Sequence, residues 1–184
     1  MLILSLILIA LLVAEDQLLK LYIVKNFAEC RGAVRNYFSF KLGDFKVFSI
    51  THIRNNGAGW SILGGKTVFL TVFTTIVLLF IIGYMILKRR SLGRFEFLSL
   101  SLIAAGGLGN LIDRVRMLIE GTDVFSGVID YFKLDFISFP VFNLADCCVT
   151  VGAVMFCIVV IIGEINAAKL KKPSKAEATD NESV

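Results

Sequence analysis

The stretch from Phe139 to Gly163, "FPVFNLADCCVTVGAVMFCIVVIIG", reads as a membrane-crossing helix with one residue out of keeping. Asp146 opens a run that is otherwise uncharged from Cys147 to Ile162, ahead of Glu164. A carboxylate at bilayer depth is costly, and such residues are rare and mostly functional. The same pattern recurs elsewhere in the chain. Thr67 to Leu87 carries no charge, and Phe97 to Ile112 is uncharged between Glu96 and Asp113. A fourth apolar run, Met1 to Ala14, precedes Glu15 and Asp16.

A bilayer crossing takes about 20 apolar residues. The chain has 184 residues, of which 57% are hydrophobic, so a soluble domain of this length would have no polar shell. The expected fold is an all-α membrane protein, a bundle of four transmembrane helices. A cleaved signal peptide is the other reading of the first run, because Ala14 is small. That run lacks a basic start, however, and its apolar character resumes from Leu18 to Val24, so it is expected to stay as a helix.

Basic residues flank the helices instead of forming a patch, so the net charge of +4 gives no reason to expect nucleic acid. Lys88, Arg89, Arg90 and Arg94 crowd one short link, and Lys169, Lys171, Lys172 and Lys175 follow the last apolar run. The positive-inside rule puts both clusters, and with four helices both termini, in the cytoplasm. The seven basic residues from Lys25 to Lys66 argue the other way, but they are spread over a much longer segment. Cys147, Cys148 and Cys157 belong to the last apolar run, and neither they nor Cys30 form a metal-binding spacing with the single histidine, His52. No metal or cofactor is expected.

Depth brings the acids together. At about 1.5 Å per residue, Asp16 lies about 24 Å from the cytoplasmic start of its helix, Asp113 about 28 Å from Arg94, and Asp146 about 27 Å from Glu164. In a hydrocarbon layer about 30 Å thick, all three reach one level near the outer edge. Asp130 falls in the outer link between the third and fourth helices. Asn110, Asp113 and Arg114 share a helix face, as do Asn143 and Asp146, and Asp16 and Lys20 form an i,i+4 pair. Gly106, Gly107 and Gly109 permit close helix packing beside them. Within the outer segment from Asn36 to Leu63, Ser39 to Ile53 alternates around a Gly43-Asp44 turn, which predicts a small outer β-sheet. "RNNGAGWSIL" after it reads as a loop over the polar cluster, with Trp60 suited to the membrane interface. Residues 1–168 then form one membrane domain, and the charged tail 169–184 is expected to be disordered.

A Ser-His-Asp set fails because His52 sits in an alternating strand pattern. Ser61 and Lys66 form a conceivable dyad that nothing brings together. Two carboxylates sharing one water fit best, since close carboxylates cannot both ionise easily and so supply one acid and one base. A small carrier or proton pathway is the competing class, and a structural membrane subunit is a third. Acids shuttling protons would be spread over several depths, whereas these share one.

The residues also carry a resemblance. "DQLLK" (16–20), "RNNGAGWS" (54–61), "GGLGNLIDR" (106–114), "GVIDYF" (127–132) and "FNLAD" (142–146) occur in the order found in bacterial lipoprotein signal peptidases, also called signal peptidase II. The resemblance spans everything but the tail. It implies an aspartyl protease of the bacterial inner membrane with an extracytoplasmic β-cradle, acting on prolipoproteins whose lipobox cysteine carries diacylglycerol. It further implies a monomer among membrane lipids, sensitive to globomycin-type inhibitors. By motif, the catalytic pair is Asp130 and Asp146, whereas depth alone pairs Asp113 with Asp146. Asp16, Lys20, Asn55, Gly57, Trp60, Asn110, Arg114 and Asn143 match positions that line or support the site, and Asp113 becomes a structural partner of Arg114. The stretch from Val115 to Ser126 is longer than the family usually shows, which leaves Asp123 and Asp135 as rivals to Asp130. Cys147, Cys148, Gly59 and Trp60 also depart from the usual residues.

Overall fold

A computed structural model of the chain describes residues 1–30, 33–55, 66–121 and 127–171. Among these residues, four helices are long and apolar enough to cross a membrane: α1 (Leu2–Asn26), α2 (Thr67–Leu87), α3 (Arg94–Glu120) and α4 (Leu144–Lys171). Between them lie three strands, β1 (Phe38–Leu42), β2 (Phe45–Asn55) and β3 (Val128–Leu134), in one antiparallel sheet of order β1-β2-β3.

The helices are inside out by the standards of a soluble bundle. On α1 the buried positions are Ser5, Ile9, Asp16, Lys20 and Ile23, a stripe at three- and four-residue spacing, while Ile3, Leu4, Leu11 and Leu18 point outward. Lipid tolerates the apolar outer face, and the few polar groups must be satisfied within the bundle. α3 is the central helix: it packs against α1, α2 and α4, and half of its apolar window is buried, against 17% for α1 and α4. Ile9, Leu78, Ile81, Met85, Phe97, Leu100, Ala104 and Ala105 form the core around it.

Glycine sets how near α4 comes. A Cβ on Gly106 would lie 2.7 Å from the Val149 side chain and closer still to the Ala145 carbonyl. One on Gly152 would lie 2.8 Å from the Ser99 carbonyl. The two backbones are therefore in direct contact, as small residues allow in membrane bundles.

The sheet sits at one end of this bundle. β1 and β2 form the expected hairpin around Gly43, whose φ of 63° suits a glycine. The third strand is a correction: the link between the third and fourth helices, where Asp130 falls, contains the strand "VIDYFKL". It pairs with β2, with Asp130 opposite Ile53 and Val128 opposite Asn55. Ile129 and Tyr131 of β3 pack with Ile23 of α1 and Met117 of α3, which ties the sheet to the bundle. At the other end of the chain, α4 continues to Lys171, past the point where the tail was expected to begin. Gly57, Trp60, Ser61, Asp123 and the rest of the tail lie outside the described residues.

Candidate active site

The start of α4 builds the centre. Asn143 stands just ahead of the helix, and its Oδ1 accepts from the Asp146 backbone N–H at 3.0 Å. In return, Asp146 Oδ2 accepts from the Asn143 backbone N–H at 3.1 Å. This reciprocal pair satisfies two amides that a helix start leaves without partners. It also fixes the Asp146 carboxylate, whose Oδ1 takes a further N–H from Asn110 Nδ2 at 2.8 Å.

Asp130 enters from β3. Its Oδ1 accepts from Asn143 Nδ2 at 2.7 Å and its Oδ2 from Asn55 Nδ2 at 3.1 Å. Each of the four oxygens on the two carboxylates thus receives one N–H, and Asn143 touches both acids. Asp130 is 2% exposed. Burial, and after it the negative charge of Asp146, pushes its carboxyl up to about 7, against the pull of Asn55 and Asn143.

Both acids line a cavity of about 560 Å³. Asn55, Asn110 and Arg114 complete its polar wall, and Val128, Leu134, Phe139, Pro140, Val141, Phe142, Val149 and Val151 form an apolar one. A slot of this size, mostly apolar with a few convergent polar groups, is the usual form of a ligand site.

Behind the polar wall lies a second, buried cluster. Lys20 Nζ is 2.8 Å from both Asp16 Oδ2 and Asp113 Oδ2, and donates to Asn110 Oδ1 at 3.0 Å. Asp16 also accepts from the Ala145 backbone N–H at 3.1 Å, bracing the first turn of α4. Gly109 makes room for it, since a Cβ there would lie 2.6 Å from Asp16 Oδ2. The ion partner of Asp113 is therefore Lys20. Arg114 makes no ion pair with Asp113 among the described residues, although the Asp113 charge still acts on it. Arg114 turns to the cavity, with Nη1 3.5 Å from the Asn110 carbonyl. Asp113 is absent from the cavity lining, so common depth does not make it a neighbour of the cavity.

Asp135 is bound elsewhere. The Ser49 hydroxyl donates to it and holds its carboxyl below the usual range, and Lys133 is 3.1 Å away. His52 is buried in β2, with Nδ1 2.8 Å from the Phe27 carbonyl. Two groups escaped the sequence reading. Gln17 Nε2 donates to Asp16 Oδ2 and to the Gly109 carbonyl, both at 3.1 Å. The Tyr131 hydroxyl accepts from the Leu144 N–H at 3.2 Å. The reciprocal cap had a legible signal, the N-x-x-D spacing of "FNLAD".

The family described as "Signal peptidase (SPase) II" matches residues 8–162. The lipoprotein signal peptidase of Lactiplantibacillus plantarum is 40% identical over 156 residues, covering 85% of this chain and 93% of that one. That of Streptococcus pneumoniae is 37% identical over 160 residues, covering 87% and 94%. A solved bacterial membrane enzyme superposes with a TM-score of 0.68 at 30% identity, covering 93% of each chain. A second does so with a TM-score of 0.65 at 30% identity, covering 85% of this chain and 91% of that one. With sequence and fold in agreement over nearly the whole bundle, this multi-pass membrane chain belongs to the signal peptidase II family of lipoprotein-processing proteases.

Proposed function

We propose that the chain cuts prolipoproteins immediately before a diacylglyceryl-modified lipobox cysteine, with a water held between Asp130 and Asp146. One observation carries this reading: two carboxylates from separate elements line one cavity, bridged by Asn143. Asp146 takes a proton from the water as its oxygen attacks the scissile carbonyl carbon. Asp130, carrying its proton, donates to the carbonyl oxygen. The proton on Asp146 then passes to the leaving nitrogen, the C–N bond breaks, and Asp130 recovers its proton from the collapsing diol. Arg114 brings a cation to the wall where negative charge develops. The apolar wall receives the lipidated side of the substrate, and globomycin-type inhibitors compete for the same space.

Purified protein in detergent, given a synthetic lipobox peptide with a dipalmitoylglyceryl cysteine, is expected to cut it before that cysteine. The unlipidated peptide is expected to be cut at least tenfold more slowly. Equal rates on both would remove the lipid from the substrate assignment. Because the Asp130 carboxyl sits at about 7 and must hold a proton, kcat/KM is expected to fall as pH rises through that value. A rate still rising at pH 9 would exclude Asp130 as the acid.

The clustered Lys88, Arg89 and Arg90 support cytoplasmic termini and an outward-facing sheet. Cysteines placed at Lys41 and at Arg90, in a variant without the four native thiols, check this. An impermeant reagent added to whole cells is expected to label only the former, and the opposite result would invert the orientation.

A further inference from the structure

Lys20 stands outside the cavity, yet it settles which atoms of the site can face each other. An ammonium has three N–H groups and accepts nothing. Here all three are used, on Asp16 Oδ2 (2.8 Å), Asp113 Oδ2 (2.8 Å) and Asn110 Oδ1 (3.0 Å). The group is 1% exposed, so bulk solvent scarcely competes for it.

Asn110 is the link. Its amide has one accepting end and one donating end, and the two ends have nearly the same shape. Lys20 presents a donor to one end. So does Asn143, whose Nδ2 lies 3.0 Å from Asn110 Oδ1. The oxygen must therefore point to Lys20 and Asn143, and the NH₂ must point to Asp146 Oδ1, 2.8 Å away. Turned over, the amide would set its NH₂ against an ammonium and a second NH₂, and its oxygen against a carboxylate. Every contact would be reversed at once.

The consequence passes on to Asp130. Asn143 Oδ1 is held by the Asp146 backbone N–H, so its NH₂ reaches both Asn110 Oδ1 and, at 2.7 Å, Asp130 Oδ1. Without an oxygen from Asn110 beside it, that NH₂ loses one of the three acceptors that aim it, keeping Asp130 Oδ1 and the more distant Ile129 carbonyl at 3.3 Å. We propose that Lys20 is a positioning residue for the dyad: by donating to Asn110 Oδ1 it keeps the Asn110 and Asn143 amides with their N–H groups turned to Asp146 and Asp130. This inference rests on the two-aspartate reading above. The chain Lys20–Asn110–Asp146 runs from α1 through α3 to α4, so it joins three helices in one polar register.

Lys20 also balances two buried acids, and its loss alone leaves both without a cation, which endangers folding. The test therefore uses Lys20→Met together with Asp113→Asn, which removes one positive and one negative charge and leaves the cluster's net charge unchanged. Single-turnover cleavage of the dipalmitoylglyceryl lipobox peptide is measured for this pair, for Asn110→Ala, and for the two combined. Each is expected to lower the rate at saturating peptide at least tenfold with KM changed less than threefold. The combined variant is expected to match Asn110→Ala within twofold, because Lys20 has nothing left to act through. Losses that multiply, or a rise in KM with an unchanged maximal rate, would overturn the positioning role. Asp130→Asn and Asp146→Asn are run alongside. If those cleave normally, it is the dyad that fails; if they are inactive while the losses multiply, the dyad stands and only the role of Lys20 falls.

Discussion

Asp130→Asn and Asp146→Asn are each expected to leave no detectable cleavage, while the protein still inserts and binds the lipidated peptide. Asparagine keeps the volume of aspartate but offers one accepting atom in place of two. At position 130, either Asn55 Nδ2 or Asn143 Nδ2 would then meet another NH₂. At position 146 the same conflict falls on Asn110 Nδ2 or the Asn143 N–H. Those conflicts cost some stability, and the chemical loss is larger. A general acid or base contributes about 10²- to 10⁴-fold, and groups that act as one unit are strongly non-additive. The double variant should therefore be hardly worse than either single one. Asp135→Asn is expected to keep its activity, since Ser49 and Lys133 hold that carboxylate and it does not line the cavity. Peptide cleavage followed by mass spectrometry, with binding measured separately, decides the matter. Normal turnover by Asp130→Asn, with Asp123→Asn or Asp135→Asn inactive, would move the dyad to another acid.

Gly106→Ala is expected to be the most damaging single methyl group in the bundle. The added carbon meets the Ala145 carbonyl, the Val149 backbone nitrogen at 2.9 Å and the Val149 side chain at 2.7 Å. Two of those three contacts are backbone, so no rotamer change relieves them, and α3 and α4 must move apart. Overpacking typically costs about 1–3 kcal/mol. Here it also shifts the first turn of α4, which holds Asp146 only one residue from Ala145. The expected result is a lower melting temperature in detergent and a fall in kcat of at least tenfold. Gly83→Ala is the control, because nothing lies within 4 Å of a Cβ there and alanine favours the helix. Equal melting temperatures for the two variants would show that the α3–α4 contact is looser than described.

Much of this architecture can be read from the chain, for identifiable reasons. The limits of α2, Thr67 to Leu87, coincide with the uncharged run, because Lys66 and Lys88 end it on both sides. The convergence of Asp16, Asp113 and Asp146 follows from counting residues along helices that cross one layer. Their partners do not follow from it. Depth gives a height and not a direction, and Asp113 turns to Lys20 on α1 while its sequence neighbour Arg114 turns to the cavity. β3 was hidden for another reason. Ile129 and Tyr131 pack on α1 and α3, and Val128 and Asp130 line the cavity, so both faces of the strand are covered. A strand buried on both sides shows little alternation, and its partner β2 lies more than seventy residues earlier.

The two walls of the cavity differ in how freely they can change. Asn55, Asn110, Asp130 and Asp146 each make hydrogen bonds that hold another element in place. Leu134 and Val151 line the cavity with apolar side chains that carry no hydrogen-bonding group. A compound that fills the cavity will therefore meet escape variants on the apolar wall, where Leu, Val, Ile and Met exchange at modest cost. Inhibitors gripping the two carboxylates and their amides meet no such freedom, since each polar substitution that loosens the drug also breaks a hydrogen bond between elements.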